Sequence, residues 1–543
     1  MDVAASKDSL GSLSTAVEAR RRQLRGSGFG ERLQRRDATL WGADNAAVAA
    51  NRLGWITAPA DLRAGVPEIA AFAREVMSEG FTHAVLLGMG GSSLAPEVFR
   101  RILDVRPGML DLRILDSTSP AAVREIARTA DPRHTLFIVS SKSGGTIEVT
   151  SFERHFFDWV HASRGAEAGR SFVAITDPGT PLEHLATERG YRSCFLNPPD
   201  IGGRYSALSR FGLVPASLIG ADLERLLDGA IAESRRTESG ADEPPTGVEL
   251  GAALGELARL GHDKLNLALD PDLEPLGAWI EQLVAESTGK DGRGILPVVG
   301  ETLGVPTGYG ADRMFAGVSI GAPAAATARA LDALAAAGHP VLRWRLSDAH
   351  AIGAEMYRWE VATAAMAQVL GVNPFDELNV TEAKVATQAA LDRGRRDGGG
   401  GLTPGAAVAA LFEHVRSGDY FALLAYLHAT PALERRLAQI REAVRRSTRL
   451  ATTLGYGPRF LHSTGQLHKG GPDTGIFLQL TADEGDEPIP GAQFGFAELI
   501  GAQAGGDFEV LSRRGRRVQR VELGSAPEQV LDQILESVEA LEI

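Results

Sequence analysis

The feature that most constrains this chain is a series of short apolar runs between residues 83 and 196, each followed by a turn and a helical stretch. The runs are His83–Leu87, Asp111–Leu115, Thr135–Ser140, Phe172–Thr176 and Arg192–Leu196, with helical stretches such as Pro96–Leu103 and Ala121–Thr129 between them. A strand with one wet face alternates polar and apolar side chains, whereas a strand buried on both faces does not. Parallel strands joined by helices that cover both faces meet that condition. Residues 61–237 are therefore expected to form a doubly wound α/β unit whose ligand sits at the carboxyl ends of its strands.

Two of those strand ends carry chemistry. Thr135–Ser140 runs into Ser141-Lys142-Ser143-Gly144-Gly145-Thr146, after which Ile147, Val149, Phe152 and Phe156 begin a helix. A helix N-terminus offers free N–H groups and the positive end of its dipole. Capping it takes one hydroxyl; four hydroxyls and a lysine imply a bound phosphate. The strand His83–Leu87 ends in Gly88-Met89-Gly90-Gly91-Ser92-Ser93, a glycine turn that is weak evidence taken alone. Both turns would open on the same edge of one sheet, and that conjunction is much stronger. Further on, Arg204 follows Gly202 and Gly203, where a backbone without side chains lets it approach a ligand closely.

At 543 residues the chain exceeds one compact core, and 44% hydrophobic with 23% charged residues is an ordinary globular composition. A formal charge of −13 argues against nucleic-acid and anionic-membrane partners, so any anion site must be locally basic. The single cysteine, Cys194, excludes an intrachain disulfide framework and reads as a packed thiol. The start of the chain is polar rather than a secretory leader, and no run of 18 apolar residues is present to span a membrane. A cytoplasmic protein is the expectation.

Residues 1–60 read as an exposed helical arm that packs on the body, Arg-rich at 20–22 and 35–36, with Leu13, Val17, Leu24, Leu33 and Leu40 as a weak apolar stripe. Its charges read as a solvated face. A polar, Pro- and Gly-rich stretch at 238–247 marks a junction. After it, Lys264–Leu269, Phe315–Ser319 and Val341–Leu346 read as strands and Ile352 to Leu370 as a long helix. Beyond a second linker at 395–401 come Ala- and Leu-rich helices, a strand at Ile476–Leu480, a hairpin-like basic region at Arg513–Leu523 and a closing helix at Pro527–Leu541. Residues 248–543 are expected to form a second α/β subdomain with helical insertions.

Three further places hold groups capable of catalysis. Glu286 lies on the last turn of a helix before the loop Gly289-Lys290-Asp291-Gly292; Lys384 closes the segment that begins Asn373-Pro374-Phe375-Asp376; His462 opens His462-Ser463-Thr464-Gly465-Gln466. Each alone is more often a solvated charge or a hydrogen-bonded histidine. Together, a carboxylate base, an imidazole and cationic groups beside a phosphate are what proton abstraction next to a carbonyl requires.

In their order and over about residues 80 to 390, these motifs resemble the glucose-6-phosphate isomerase family, most closely the isomerase half of bacterial bifunctional transaldolase/isomerase proteins. The resemblance implies two doubly wound parallel-sheet subdomains of the sugar-phosphate-binding (SIS) type, an N-terminal helical arm and a rearranged second subdomain. It also implies interconversion of D-glucose 6-phosphate and D-fructose 6-phosphate through ring opening and a cis-enediol. Carried over residue by residue, Gly91, Ser92, Ser141, Lys142, Ser143, Thr146 and Gly203 would bind substrate and its phosphate. Glu286 would be the base, Arg204 would stabilise the enediolate, and Lys384 and His462 would assist ring opening. The family works without metal or cofactor, usually as a homodimer whose site borrows a residue from the neighbour.

Two departures stand out. The family's histidine motif follows the glutamate by a few tens of residues, whereas here it lies far downstream, with His468 as a competing candidate. Glu377 stands where the family commonly has glutamine. Two other readings share the loop: a non-catalytic phosphosugar-binding regulator, and an isomerase of another phosphosugar such as mannose 6-phosphate. A regulator has no use for Glu286 with Lys384 and Arg204.

Overall fold

The computed structural model describes residues 3–4, 8–240, 246–376, 380–393 and 402–541. Glu377 and the linker at 395–401 lie outside them, as does the side chain of Lys384. The strands form three sheets. In the first the order is Asp111–Leu115, His83–Gly88, Thr135–Ser140, Phe172–Thr176 and Ser193–Leu196, all parallel. Successive residues of one strand enter two different cores. Ala84 and Leu86 join the core that includes the helices Val66–Ser78 and Leu94–Ile102, and Val85 and Leu87 join the one that includes Pro120–Thr129 and Ile147–Arg164. Double burial is why these runs show no polar alternation. Each buried Leu or Phe contributes about 1.5–3 kcal/mol, against about 0–1 kcal/mol for an exposed ion pair, so apolar burial dominates the stability of this sheet. Cys194, on its edge strand, is half-buried, and burial pushes the thiol up to about 11.

The chain beyond residue 248 divides its strands between two sheets. One has Val3–Ala4 antiparallel at its edge, then Val341–Leu346, Arg313–Ile320, Lys264–Leu269 and Leu296–Val298 in parallel. The other is parallel throughout, in the order Ala451–Tyr456, Tyr420–Tyr426, Gly475–Ala482, Arg517–Gly524. The expected rearrangement of the second subdomain therefore takes the form of an additional sheet. Two expectations are corrected here. The Arg513–Leu523 region is not hairpin-like: Phe496–Arg513 is a crossover helix, and the strand after it runs parallel to Gly475–Ala482. Tyr420–Tyr426, inside a stretch read as Ala- and Leu-rich helix, is a strand buried at every position, where packing on both faces overrides helix propensity.

The N-terminal arm packs on the body as expected, but Arg20 and Arg21 do not belong to a solvated face. Its helix Ser14–Gly26 buries Val17 and Leu24 and packs on Gly247–Arg259, whose acidic residues receive the arginines. Arg20 Nε donates to Glu256 at 2.7 Å; Arg21, 8% exposed, donates to Asp8 at 2.6 Å and to the Glu249 carbonyl at 3.3 Å. The helix Ile352–Leu370, buried nearly all round, packs on Gly247–Arg259 and on Leu276–Thr288, fixing the helix that carries Glu286. The second sheet has its own strand-turn-helix from Arg313–Ile320 into Ala325–Ala336, but its turn is already occupied by a carboxylate. Ala324 N–H points at Asp270, 3.3 and 3.4 Å from its two oxygens.

Candidate active site

The turns Gly90–Ser92 and Gly203–Tyr205 meet face to face. A Cβ at Gly91 would stand 1.9 Å from the Gly203 carbonyl oxygen, so only glycine allows this approach. The requirement falls on Gly91 rather than on the pair before Arg204: a Cβ at Gly203 meets nothing within 4 Å. Gly90 has φ of +55°, and a Cβ there would come within 2.8 Å of Gln282 Nε2 and 3.1 Å of the His462 carbonyl oxygen.

Behind these turns lies a buried pair. Arg204 Nη1 donates to Glu286 Oε1 at 2.9 Å, with the two side chains 3% and 9% exposed. The rest of the guanidinium is held by Ser287 Oγ at 2.9 Å and the carbonyls of Pro374 at 2.5 Å and Asp376 at 3.0 Å. The same segment seats Lys290, which donates to Asn373 O at 2.6 Å and Asp376 O at 2.9 Å and pairs with the Asp376 carboxylate. The Asn373–Asp376 segment is thus a cradle for two buried cations. Burial, aided by the charge of Arg204, pushes the Lys290 ammonium down to about 8.

His462, at the end of a short turn after the strand Ala451–Tyr456, comes back to the same place. Gln282 Nε2 donates to its carbonyl at 2.7 Å and lies 3.2 Å from Glu286 Oε2. His462 Nε2 is 3.0 Å from Glu148 Oε1, to which Gln503 Nε2 also donates at 2.8 Å. Where that carboxylate is ionised it can only accept, and the Nε2 N–H is then the donor. Gln503 in turn accepts from Thr118 Oγ1 at 2.7 Å. His468 is elsewhere: it is 2% exposed among Tyr420, Phe460 and Phe477, and burial holds its pKa well below the usual range.

The loop 141–146 joins the first sheet to the helix Ile147–Arg164 with its hydroxyls close together. Ser141 Oγ lies 3.1 Å from Thr146 Oγ1 and accepts from Gly144 N–H at 3.2 Å, while the Thr146 side chain does not cap the helix. Ser92 is buried in the facing turn and Ser143 is exposed. Lys142 differs from the expected loop cation. Its ammonium is drawn to Asp177 and the Pro199 carbonyl, because the strand Phe172–Thr176 ends beside Thr135–Ser140 and delivers Asp177 there. Lys384 lies on the helix Val380–Arg393, and its side chain is outside the described residues. Among the described residues no group of three His, Cys, Asp or Glu side chains could hold a metal ion.

Gln282, Glu148, Lys290 and Gln503 were not among the sequence candidates. Gln282 precedes Glu286 by one helical turn, so an i, i+4 reading of that helix would have found it. Glu148 follows the 141–146 loop almost directly. Gln503 carries no local signal at all.

A doubly wound sheet with a hydroxyl-rich loop at its edge, beside a buried carboxylate–guanidinium pair and a nearby imidazole, defines an α/β isomerase of the phosphosugar class. Residues 72–297 match the family model described as phosphoglucose isomerase. The glucose-6-phosphate isomerase of Rubrobacter xylanophilus is 32% identical over 378 residues, covering 59% of this chain and 85% of that protein. That of Thermus thermophilus is 33% identical over 270 residues, covering 49% of this chain and 63% of that protein. Among solved structures, a hypothetical protein from Thermus thermophilus superposes with a TM-score of 0.59 at 27% identity, over 70% of this chain and 96% of that one. A glucose-6-phosphate isomerase from Chlamydia trachomatis shares the fold, with a TM-score of 0.54 at 19% identity, over 66% of this chain and 78% of that one. The chain belongs to the glucose-6-phosphate isomerase family.

Proposed function

We propose that this chain interconverts D-glucose 6-phosphate and D-fructose 6-phosphate. The observation that carries the reading is the buried contact of Glu286 with Arg204 at 2.9 Å, beside the oriented His462. A protein that only senses a phosphosugar needs the 141–146 loop; it has no need of a carboxylate held against a guanidinium in the interior. In this reading Ser92, Ser141, Ser143 and Thr146, with the N–H groups at the helix N-terminus, take the phosphate. Gly91, by admitting the facing turn Gly203–Tyr205, lets the Arg204 backbone close on the sugar.

Glu286 removes the proton from C2 of the open-chain aldose and returns it at C1. Arg204 stabilises the negative charge that develops across the C1 and C2 oxygens, where a preorganised donor is worth most. His462, kept in one orientation by Glu148, exchanges protons with the C1 hydroxyl and ring oxygen during ring opening, and Lys384 is assigned to the same step. Lys142 has no direct part in this reading, since Asp177 and the Pro199 carbonyl hold its ammonium. The reading places the protein in the cytoplasm.

The direct test is a coupled assay of fructose 6-phosphate conversion with wild type and Glu286→Gln. The amide keeps the shape but cannot accept the proton. Turnover and solvent exchange of the C2 hydrogen should fall by about 10²–10⁴, the range for a positioned general base, while substrate still binds. Full exchange in the variant would show that another group is the base.

A further inference from the structure

Resting on the role just given to Arg204, we propose that Lys290 is a positioning residue of this site: by holding the Asp376 carboxylate, it keeps the Arg204 guanidinium turned to Glu286. Four ionisable side chains meet here. Those of Lys290, Arg204 and Glu286 are 2%, 3% and 9% exposed, and that of Asp376 is 20% exposed. They form two pairs, Lys290 with Asp376 and Arg204 with Glu286, so two positive charges face two negative ones. The layout also admits the exchanged pairing. Arg204 Nη2 donates to the Asp376 carbonyl at 3.0 Å, and Lys290 Nζ donates to the same oxygen at 2.9 Å. The Asp376 carboxylate thus belongs to a residue that both cations touch.

Two further contacts decide which cation takes it. Lys290 Nζ also donates to Asn373 O at 2.6 Å, which draws the ammonium along the segment. Arg204 Nε is held at 2.9 Å by Ser287 Oγ, on the helix turn that carries Glu286. The segment itself is fixed without help from Lys290. Phe375 N–H donates to Asn373 Oδ1 at 3.0 Å, and the Phe375 ring lies 4.9 Å from that of Trp41 and 5.3 Å from that of Tyr205, centroid to centroid. Removing the Lys290 charge therefore leaves the segment in place and frees a largely buried carboxylate. Such a group is costly without a partner, and the cation already on its main chain is Arg204. The guanidinium would turn from Glu286 toward Asp376, away from the oxygens on which negative charge develops.

The test is a pair of substitutions that cancel in charge. Lys290→Met should lower kcat by about 100-fold, the loss that goes with a displacement near 1 Å at a reacting group. KM for fructose 6-phosphate should change little, because the 141–146 loop is untouched. Adding Asp376→Asn to Lys290→Met removes the competing charge and should raise kcat again by at least about tenfold, a coupling of the size found between groups in contact. Asp376→Asn alone should lose less than Lys290→Met. A lysine that merely fills space would show no such rescue. A double variant no faster than Lys290→Met, or Asp376→Asn alone slower than Lys290→Met, overturns the proposal. Lys290→Gln keeps donors for both carbonyls and lacks the charge, and it carries the same comparison where the methionine chain fails to fold.

A readout besides activity separates this proposal from the reading it rests on. In a crystal structure of Lys290→Met, or of Lys290→Gln, the guanidinium should lie on the Asp376 carboxylate instead of on Glu286. A guanidinium still 2.9 Å from Glu286 Oε1, as in wild type, overturns the proposal. Failure of the wild-type chain to turn over fructose 6-phosphate would sink the proposed function, and the position of Arg204 in the variant would still decide the role of Lys290.

Discussion

The contact between the two glycine turns gives the sharpest test of how this site is built. In Gly91→Ala the new methyl would lie 1.9 Å from the Gly203 oxygen, 2.3 Å from its carbonyl carbon and 3.0 Å from Arg204 N. Since Cβ contacts below 3.0 Å essentially do not occur, one turn must retreat by at least 3.0 − 1.9 = 1.1 Å. Neither can do so freely. Arg204 is tied to Glu286, Ser287 and Pro374, and Ser206 Oγ donates to the Gly91 carbonyl at 3.2 Å. Overpacking of this kind costs about 1–3 kcal/mol of stability, and a displacement near 1 Å at a reacting group costs about 100-fold in rate. The expected outcome is a melting temperature below wild type and kcat down by about 100-fold, with the larger change in kcat rather than KM. Gly203→Ala, in the opposite turn, meets open space and should stay within about 0.5 kcal/mol of wild type. The assays are thermal melting and steady-state kinetics in the fructose 6-phosphate direction. Gly91→Ala with kcat near wild type, or equal damage from both alanines, would refute the reasoning.

Three other outcomes follow from the same geometry. Thr146→Val removes a hydroxyl 3.1 Å from Ser141 Oγ; losing one hydrogen bond to a charged phosphate costs about 1.5–3 kcal/mol, so KM should rise at least about tenfold with kcat less affected, and an unchanged KM would count against the loop. Lys290 gives a pH signature. Its proton is held less tightly in the folded state, about 8 against an ordinary 10.5, so between those values the unfolded chain binds a proton that the folded one lacks. Stability contributed by this group is therefore lowest below pH 8 and recovers as pH rises, by up to about 3 kcal/mol. Denaturant unfolding of wild type and Lys290→Met at pH 7 and pH 10 should show wild type gaining on the variant, and no relative change would exclude the shift. Arg21→Met removes the buried guanidinium from Asp8, while Glu249 keeps Arg25; breaking a buried pair costs about 3–5 kcal/mol, seen as a lower melting temperature, whereas an arginine on a solvated face would cost almost nothing.

Much of this was legible because double burial leaves a plain mark. The five strands of the first sheet were readable from uninterrupted apolar runs, and the loop at 141–146 from hydroxyls in excess of what a cap requires. Glu286 and Arg204 stood out only through neighbouring glycines, and their contact, 82 residues apart in the chain, could not be read from spacing. Tyr420–Tyr426 was hidden because Ala and Leu favour helix until packing on both faces decides otherwise. The arginines of the N-terminal arm looked solvated because their partners, Glu249 and Glu256, lie on a helix more than 220 residues away. Lys142 was read as a loop cation for the phosphate; its pairing with Asp177 depends on which strand lies next to it in the sheet.

The ties that close the pocket span 180, 314 and 355 residues of chain, from Gln282 to His462, from Glu148 to His462 and from Glu148 to Gln503. Contacts this distant form late, because the sheets at both ends must exist before either carboxamide or imidazole has anything to meet. When the denatured protein is diluted into buffer, the helical signal should return first and burial of the tryptophans next. Catalysis should come back last, in a slower phase of its own. The enzyme would then pass through a compact, nearly native state that holds its fold and does no chemistry.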